Sequence, residues 1–294
     1  MEKILNIKNQ IFSLLNQKKV FYWVTLIICS SLYINRRKIG SQLYYYLGYL
    51  FYKIETATYK YKKTLRPDKI IIVRHGESQA NINDILYAEQ PDSQIELTQN
   101  GFDQSLKIGQ LLKQEIGENK NLVFFVSPYQ RAQQTAQQIM KSFNKIEKII
   151  IEPRIREQEW GNLQKFQLDK KEQTQVFIER QLVGRFYYRF KQGESASDVY
   201  DRVSLFLESL FREMDSYSQA SKFGKNRVFV IVTHGMVMRL LLMRYFKQGI
   251  SDFEQMENPL NCECWILKKD EKGLYKFDKK IQLEQEQNIN ESSQ

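Results

Sequence analysis

The chain has 294 residues, 42% of them apolar and 27% charged, with three cysteines and a formal net charge of +10. That length carries one generous core or two small ones, and the composition excludes both a disordered tail protein and a disulfide-stapled mini-scaffold. A mean hydropathy of -0.52 excludes a polytopic membrane protein.

The excess charge sits at one end. Residues 1–66 hold twelve Lys and Arg against Glu2 and Glu55, and 67–294 is neutral. A nucleic-acid partner is therefore not expected, because the larger part has no surplus positive charge for phosphates to meet. Fifteen uncharged residues run from Val20 to Ile34, between Lys18-Lys19 and Arg36-Arg37-Lys38. As a helix of about 22 Å this run is a candidate transmembrane segment, short of a hydrocarbon core of about 30 Å but flanked by side chains that snorkel. Leu43–Ile54 is a second apolar stretch crowded with tyrosine, and nine of the seventeen tyrosines fall between Tyr22 and Tyr61. Amphipathic rings interleaved with lysines suit a lipid headgroup region or a partner surface. Residues 1–66 thus read as a helical membrane-attaching arm, single-pass or interfacial. Its orientation and its membrane, mitochondrial or endomembrane, stay open.

Pro67 breaks the chain, and the elements that follow alternate. A strand is expected at Lys69–Val73, then a helix over Thr98–Ile116 with Phe102, Leu106, Gly109 and Leu112 on one face. Leu122–Val126 reads as a buried strand. Ser127-Pro128 opens a helix over Tyr129–Phe143, and Ile149–Ile151 is a third strand. Ser195 to Asp198 forms a capping box for a helix to about Met214, whose apolar stripe is Val199, Val203, Phe206, Leu210 and Met214. Arg227–Val232 is a fourth strand, followed by a helix through Leu240–Phe246. Cys264–Leu267 and Tyr275–Leu283 look like a late pair of edge strands, and 284–294 is a polar tail. Short, continuously apolar strands between helices predict an α/β domain over 67–283: a three-layer α/β/α sandwich with a mostly parallel central sheet. Cys262 and Cys264 are expected to be a buried structural pair.

The chain has two histidines, and each follows a strand and precedes a glycine: His75-Gly76 after KIIIVR, His234-Gly235 after RVFVIVT. In a parallel sheet both stand at carboxyl ends, where open α/β sheets bind ligands. No Cys or carboxylate cluster at metal-ligand spacing accompanies them, so neither a metal nor another cofactor is expected. Their companions are Arg74 and Arg131. Guanidinium forks neutralise phosphoryl oxygens while an uncharged imidazole nitrogen attacks phosphorus. A nearby carboxyl would protonate the leaving oxygen.

These residues resemble the histidine phosphatase (phosphoglycerate mutase-like) superfamily. RHGESQAN at 74–81 is similar to its signature, and SPYQRAQQTA at 127–136 to its second motif. IREQEWGNLQ at 155–164, GESASDVYDRV at 193–203 and VTHG at 232–235 follow in the expected order. The branch that looks nearest is that of small plant and fungal acid-phosphatase-like proteins. The resemblance implies that His75 carries a phosphohistidine. Arg74, Arg131 and His234 would clamp the phosphoryl group, and Glu157 would serve as proton donor. Asn81 and the Gly235 backbone would line the pocket, and Glu194 would support it. Ser78 would contact substrate or cap the turn. Arg185 and Arg189 would either bind substrate or form a solvated helix face. They do not form the paired arginines of a glycolytic mutase, so a phosphomutase is not expected. The expected function is metal-independent phosphomonoester hydrolysis of a small phosphorylated substrate at a membrane. The alternative is an accessory subunit of a membrane protein complex that has recruited the fold.

Overall fold

The computed structural model describes residues 18–34, 40–161, 170–220 and 226–283. The expected polar tail at 284–294 lies outside them. The chain divides into two compact units, Met1–Tyr59 and Lys60–Gln294.

Helix α1 (Lys18–Ile34) takes up the uncharged run, and α2 (Gly40–Thr64) the tyrosine-rich one. Among the described residues no helix is long and apolar enough to cross a membrane. The run expected as a transmembrane segment, 20–34, lies within α1. Helix α1 has 17 residues, Lys18 and Lys19 among them, which is about 25 Å against about 30 Å of hydrocarbon. On α2 the consecutive Tyr44, Tyr45 and Tyr46 are all exposed, so aromatic surface faces more than one side of that helix.

In the larger unit the strands are β1 (Lys69–Arg74), β2 (Asn121–Val126), β3 (Ile146–Ile151), β4 (Arg227–Thr233), β5 (Cys264–Lys269) and β6 (Tyr275–Ile281). They make one sheet in the order β3-β2-β4-β1-β5-β6. The first four are parallel, while β5 runs antiparallel to β1 and β6 antiparallel to β5. The α/β class holds, with a mixed sheet. The expected pair of edge strands is half right. Cys264, Trp265, Ile266 and Leu267 are all buried because β5 is interior, and only β6 is an edge.

The described helices of this unit are α3 (Gln79–Ile82), α4 (Leu86–Glu89), α5 (Gln99–Ile116), α6 (Gln130–Met140), α7 (Lys170–Val183), α8 (Ala196–Ala220), α9 (Gly235–Phe246) and α10 (Ile250–Gln255). Alternate strand residues face opposite layers. Ile70, Ile72, Phe125, Phe229 and Ile231 pack with α8 and α9, whereas Ile71, Val73, Phe124, Val230 and Val232 pack with α5 and α6. Two covered faces explain why the strands read as unbroken apolar runs. The α8 stripe is buried as expected, each side chain stabilising the fold by about 1.5–3 kcal/mol. Its capping box forms too: Ser195 N–H donates to Asp198 Oδ2 at 2.7 Å and Asp198 N–H to Ser195 Oγ at 3.3 Å.

Helix α5 is rotated relative to the expected face. Gly101, Ser105, Ile108, Gly109, Leu112 and Ile116 are buried, while Leu106 is exposed. Small residues, not Phe102 and Leu106, face inward because the chain after His75 lies against them. A Cβ on Gly101 would stand 2.0 Å from the Glu77 carbonyl oxygen, and one on Gly76 2.6 Å from that of Gly101.

Candidate active site

Strand register assembles the site. Arg74 of β1 pairs with Thr233 of β4, so His75 and His234 emerge side by side, with His75 N–H donating to Thr233 O at 2.9 Å. On the other side of β4, Val126 pairs with Val232, which brings Ser127 alongside. The two imidazole centroids are 5.1 Å apart, close enough to meet around one phosphorus atom.

The hydrogen bonds fix the His75 tautomer. Its Nδ1 lies 2.7 Å from Gly76 O, a carbonyl that only accepts, so Nδ1 carries the proton. The Nε2 lone pair then receives Arg131 Nε–H at 3.3 Å. Burial pushes the His75 pKa well below the ordinary imidazole range, and the charges of Arg131 and Arg74 push the same way. His234 is also displaced downward by burial and then by Arg131. Its Nε2 lies 2.8 Å from Ser127 Oγ, whereas its buried Nδ1 has no hydrogen-bond partner and sits 3.9 Å from Glu157 Oε2. A buried polar atom of this kind is costly unless a ligand atom completes it.

Arg131 is 2% exposed and held by Asp92, whose backbone O and Oδ1 accept from Nη1 at 2.8 and 2.6 Å. Arg74 donates from Nη1 to Pro259 O at 2.6 Å, and its Nε has no partner. Glu157 follows the 3₁₀ turn Pro153–Ile155 and accepts from Gln158 N–H at 3.0 Å. Burial raises its pKa, outweighing the pull of Arg131 and Arg74. Arg202 grips the preceding backbone through the carbonyls of Arg154, Arg156 and Glu157 and is paired with Glu194 at 3.0 Å. Glu194 thus positions the Glu157 segment, the supporting place expected of it.

The other candidates have different surroundings. Ser78 is buried, and its N–H and O–H both donate to Asn81 Oδ1, at 3.0 and 3.1 Å, so the pair caps the turn after His75. Asn81 also meets Asn261 Nδ2, which donates to His75 O as well. Gly235 opens α9, and a Cβ there would lie 2.2 Å from Asn258 Oδ1. The close approach of backbone requires Gly76, whereas at Gly235 the neighbour is the end of the exposed Asn258 side chain. Arg185 pairs with Glu254 at 2.8 Å, and Arg189 with Asp198 at 2.5 Å and Gly193 O at 3.3 Å. Neither arginine is brought to the histidines by these contacts. Cys262 and Cys264 are buried free thiols, with Cys262 N–H donating to His75 O at 3.2 Å. Among the described residues no group of three or more His, Cys, Asp or Glu could hold a metal ion.

Sequence reasoning missed Asp92, Ser127 and Tyr87. Ser127 was findable, since it follows a strand in register with the one that delivers His234. Tyr87 on α4 is half-buried within reach of the charges of Arg131, Asp92, Glu157 and Arg74, and nothing in its local sequence marks it.

An α/β sheet whose adjacent parallel strands deliver two neutral imidazoles between buried guanidiniums is a site for handling phosphoryl groups. Over residues 70–277 the chain matches the model of the histidine phosphatase superfamily (branch 1), and it belongs to that family. It is 39% identical over 226 residues to phosphoglycerate mutase-like protein AT74H of Arabidopsis thaliana, covering 74% of this chain and 79% of that one. To the broad-range acid phosphatase DET1 of Saccharomyces cerevisiae it is 27% identical over 296 residues, covering 70% and 86%. Its fold is similar to that of a mycobacterial glucosyl-3-phosphoglycerate phosphatase solved with VO3, with a TM-score of 0.55 and 18% identity over 72% of this chain and 96% of that one.

Proposed function

We propose that the chain hydrolyses small phosphomonoesters through a phosphohistidine on His75. The observation that carries this is the His75 ring, buried, neutral, protonated on Nδ1, and with its Nε2 lone pair beside Arg131. Nε2 attacks phosphorus, the P–N bond forms, and the P–O ester bond breaks. The protonated Glu157 carboxyl gives its proton to the departing oxygen. Water then attacks phosphorus, Glu157 takes the water's proton, the P–N bond breaks, and phosphate leaves with His75 neutral again. Arg74, Arg131 and the unpartnered Nδ1 of His234 face the phosphoryl oxygens, so the arginine charges supply the stabilisation that a bound metal provides elsewhere. A relative that is a broad-range acid phosphatase and a similarly folded phosphatase both agree with hydrolysis. A mutase reading loses support because Arg185 and Arg189 are engaged by Glu254 and Asp198.

The test is 4-nitrophenyl phosphate turnover with vanadate as inhibitor, together with alkaline quenching of enzyme mixed with radiolabelled ester. Wild type yields an acid-labile, base-stable label and His75→Ala yields neither label nor turnover; full turnover by a folded His75→Ala protein would refute the mechanism. The proposal includes attachment of residues 1–66 to a membrane. Support comes from the confinement of the net charge to that arm and from the exposed tyrosines of α2. Co-sedimentation of the full chain with anionic vesicles tests it, and recovery in the supernatant at low salt counts against it.

A further inference from the structure

The two imidazoles hold their protons by different means. His75 is fixed by an acceptor, since Gly76 O takes the proton of its Nδ1. No such carbonyl meets the His234 ring. Among the described residues that ring makes one hydrogen bond, between Nε2 and Ser127 Oγ at 2.8 Å, and its Nδ1 makes none. A hydroxyl can donate to Nε2 or accept from it. What Ser127 does with its own proton therefore decides which nitrogen of His234 is protonated.

Ser127 is 0% exposed and follows β2, where its N–H donates to Val232 O at 3.0 Å. Its Oγ has two hydrogen-bond neighbours among the described residues. One is Tyr129 N–H, which donates to it at 3.4 Å and has nothing to accept with. The other is His234 Nε2, the one neighbour able to take the hydroxyl proton. In the opposite arrangement Nε2–H and Tyr129 N–H would both donate to Oγ. The hydroxyl proton would then be buried without an acceptor, and the Nδ1 lone pair would be buried without a donor. That makes two unmade bonds against one, and one unmade bond of a buried group shifts such a balance by about tenfold. The single bond left unmade is Nδ1–H, 3.9 Å from Glu157 Oε2 at the open end of the ring. The rings of Tyr129 and His75, each with its centroid 5.1 Å away, crowd the imidazole and hinder a flip that would exchange its nitrogens.

We infer that Ser127 is a positioning residue of the reaction: its hydroxyl donates to Nε2 of His234 and so keeps the proton on Nδ1, where it meets the transferring phosphoryl group. Two imidazoles in one tautomer then offer opposite atoms to one phosphorus centre. His75 presents a bare Nε2 that attacks, and His234 presents an Nδ1–H that donates to a phosphoryl oxygen. In its other tautomer His234 would turn a lone pair toward those oxygens and repel them. The part played in turnover rests on the phosphomonoesterase reading above, whereas the tautomer is measurable without any substrate.

The chain has only two histidines, so the full chain labelled with ¹⁵N-histidine and made without a histidine tag gives two imidazole spin systems. At neutral pH and without ligand, proton–nitrogen correlation should show both rings protonated on Nδ1 and bare on Nε2. Loss of one ring in His75→Ala assigns them. Ser127→Ala should alter only the His234 pattern, toward a mixture with protonated Nε2. Its kcat/KM should fall by about three- to tenfold, the size of one net hydrogen bond. Because the contact is with the phosphoryl group, the loss should be equal for an alkyl phosphate and for 4-nitrophenyl phosphate. Inhibition by vanadate should weaken by the same factor. Wild-type His234 protonated on Nε2 overturns the inference and leaves the phosphatase reading standing. So does a Ser127→Ala protein with unchanged ring signals or unchanged kcat/KM, or one whose loss depends on the leaving group. Should Ser127→Ala not fold, as judged by thermal denaturation, the wild-type tautomer alone decides. Absence of turnover by wild type counts against the phosphatase reading itself, and the tautomer is still read from the spectrum.

Discussion

Substituting Gln for Glu157 keeps the side-chain shape and the acceptor for Gln158 N–H at 3.0 Å, and removes only the transferable proton. General acids of this kind contribute about 10²- to 10⁴-fold, or roughly 3–5.5 kcal/mol of barrier. The structure says when that proton is present. Burial raises the Glu157 pKa, so the carboxyl stays protonated further up the pH scale than an exposed glutamate and is lost as pH rises through its shifted value. His75 shifts the opposite way and stays neutral well into acid. The active window is therefore bounded below by His75 and above by Glu157. In the assay, kcat/KM is compared for an alkyl phosphate, whose alkoxide needs the proton, and for 4-nitrophenyl phosphate, whose phenolate leaves without it. Because kcat/KM reports the first transfer, Glu157→Gln should lose about 10²- to 10⁴-fold on the alkyl ester and far less on the nitrophenyl ester. With the activated ester, slow hydrolysis of the phosphoenzyme should also appear as a burst of nitrophenolate. Equal losses on the two esters would refute the assignment of Glu157 as acid.

Asp92→Asn leaves the buried Arg131 without its counter-charge, which costs about 3–5 kcal/mol when one partner of a buried pair is removed. Thermal denaturation should show a drop of many degrees, and an unchanged midpoint would mean that the pair is not what holds Arg131. The two histidines make the fold acid-sensitive: both are buried and depressed, so their contribution is complete above about pH 6.5 and is lost as pH falls toward their folded values. Each gives a slope of up to about 1.4 kcal/mol per pH unit, opposed at lower pH by Glu157, which binds its proton more tightly when folded. Urea unfolding between pH 7.5 and 5.5 should be steeper for wild type than for His234→Asn, and identical slopes would reject the assignment of a depressed pKa to His234.

What was legible in the sequence was whatever strand period and strand order determine. A histidine one residue past a buried strand is placed at the sheet edge by that strand alone, so both histidines were readable, as was the α8 stripe. Asp92 and Tyr87 were not, because they reach the site from the short turns Leu86–Glu89 and Asp92–Gln94, each too short for a period to relate spacing to direction. The α5 face was misread for a related reason. Apolar periodicity weights Phe102 and Leu106, yet the tight approach of Glu77 to Gly101 decides which side faces inward. The interior place of β5 depends on pairing with β1 across nearly two hundred residues, which local sequence does not encode.

The opposite shifts of His75 and Glu157 are the point on which the chemistry turns, and burial drives both. Arg74 and Arg131 act on both groups, favouring a neutral imidazole and a charged carboxylate. For His75 burial adds to the guanidinium effect. For Glu157 burial opposes that effect and outweighs it, so the same pocket drives the imidazole toward its neutral form and the carboxyl toward its protonated one. A polar substitution that wets Glu157 while both arginine side chains stay in place should then move its pKa back toward the ordinary carboxylate range and narrow the window from its alkaline side. Tyr129, buried with its ring centroid 5.1 Å from His234 and 5.0 Å from the Arg131 guanidinium, and with its hydroxyl 3.2 Å from Glu159, is the place to make it. In Tyr129→Ser the upper limb of the alkyl-phosphate profile should move to lower pH while His75 stays competent. A limb that does not move would show that shielding by Tyr129 is not part of what keeps Glu157 protonated.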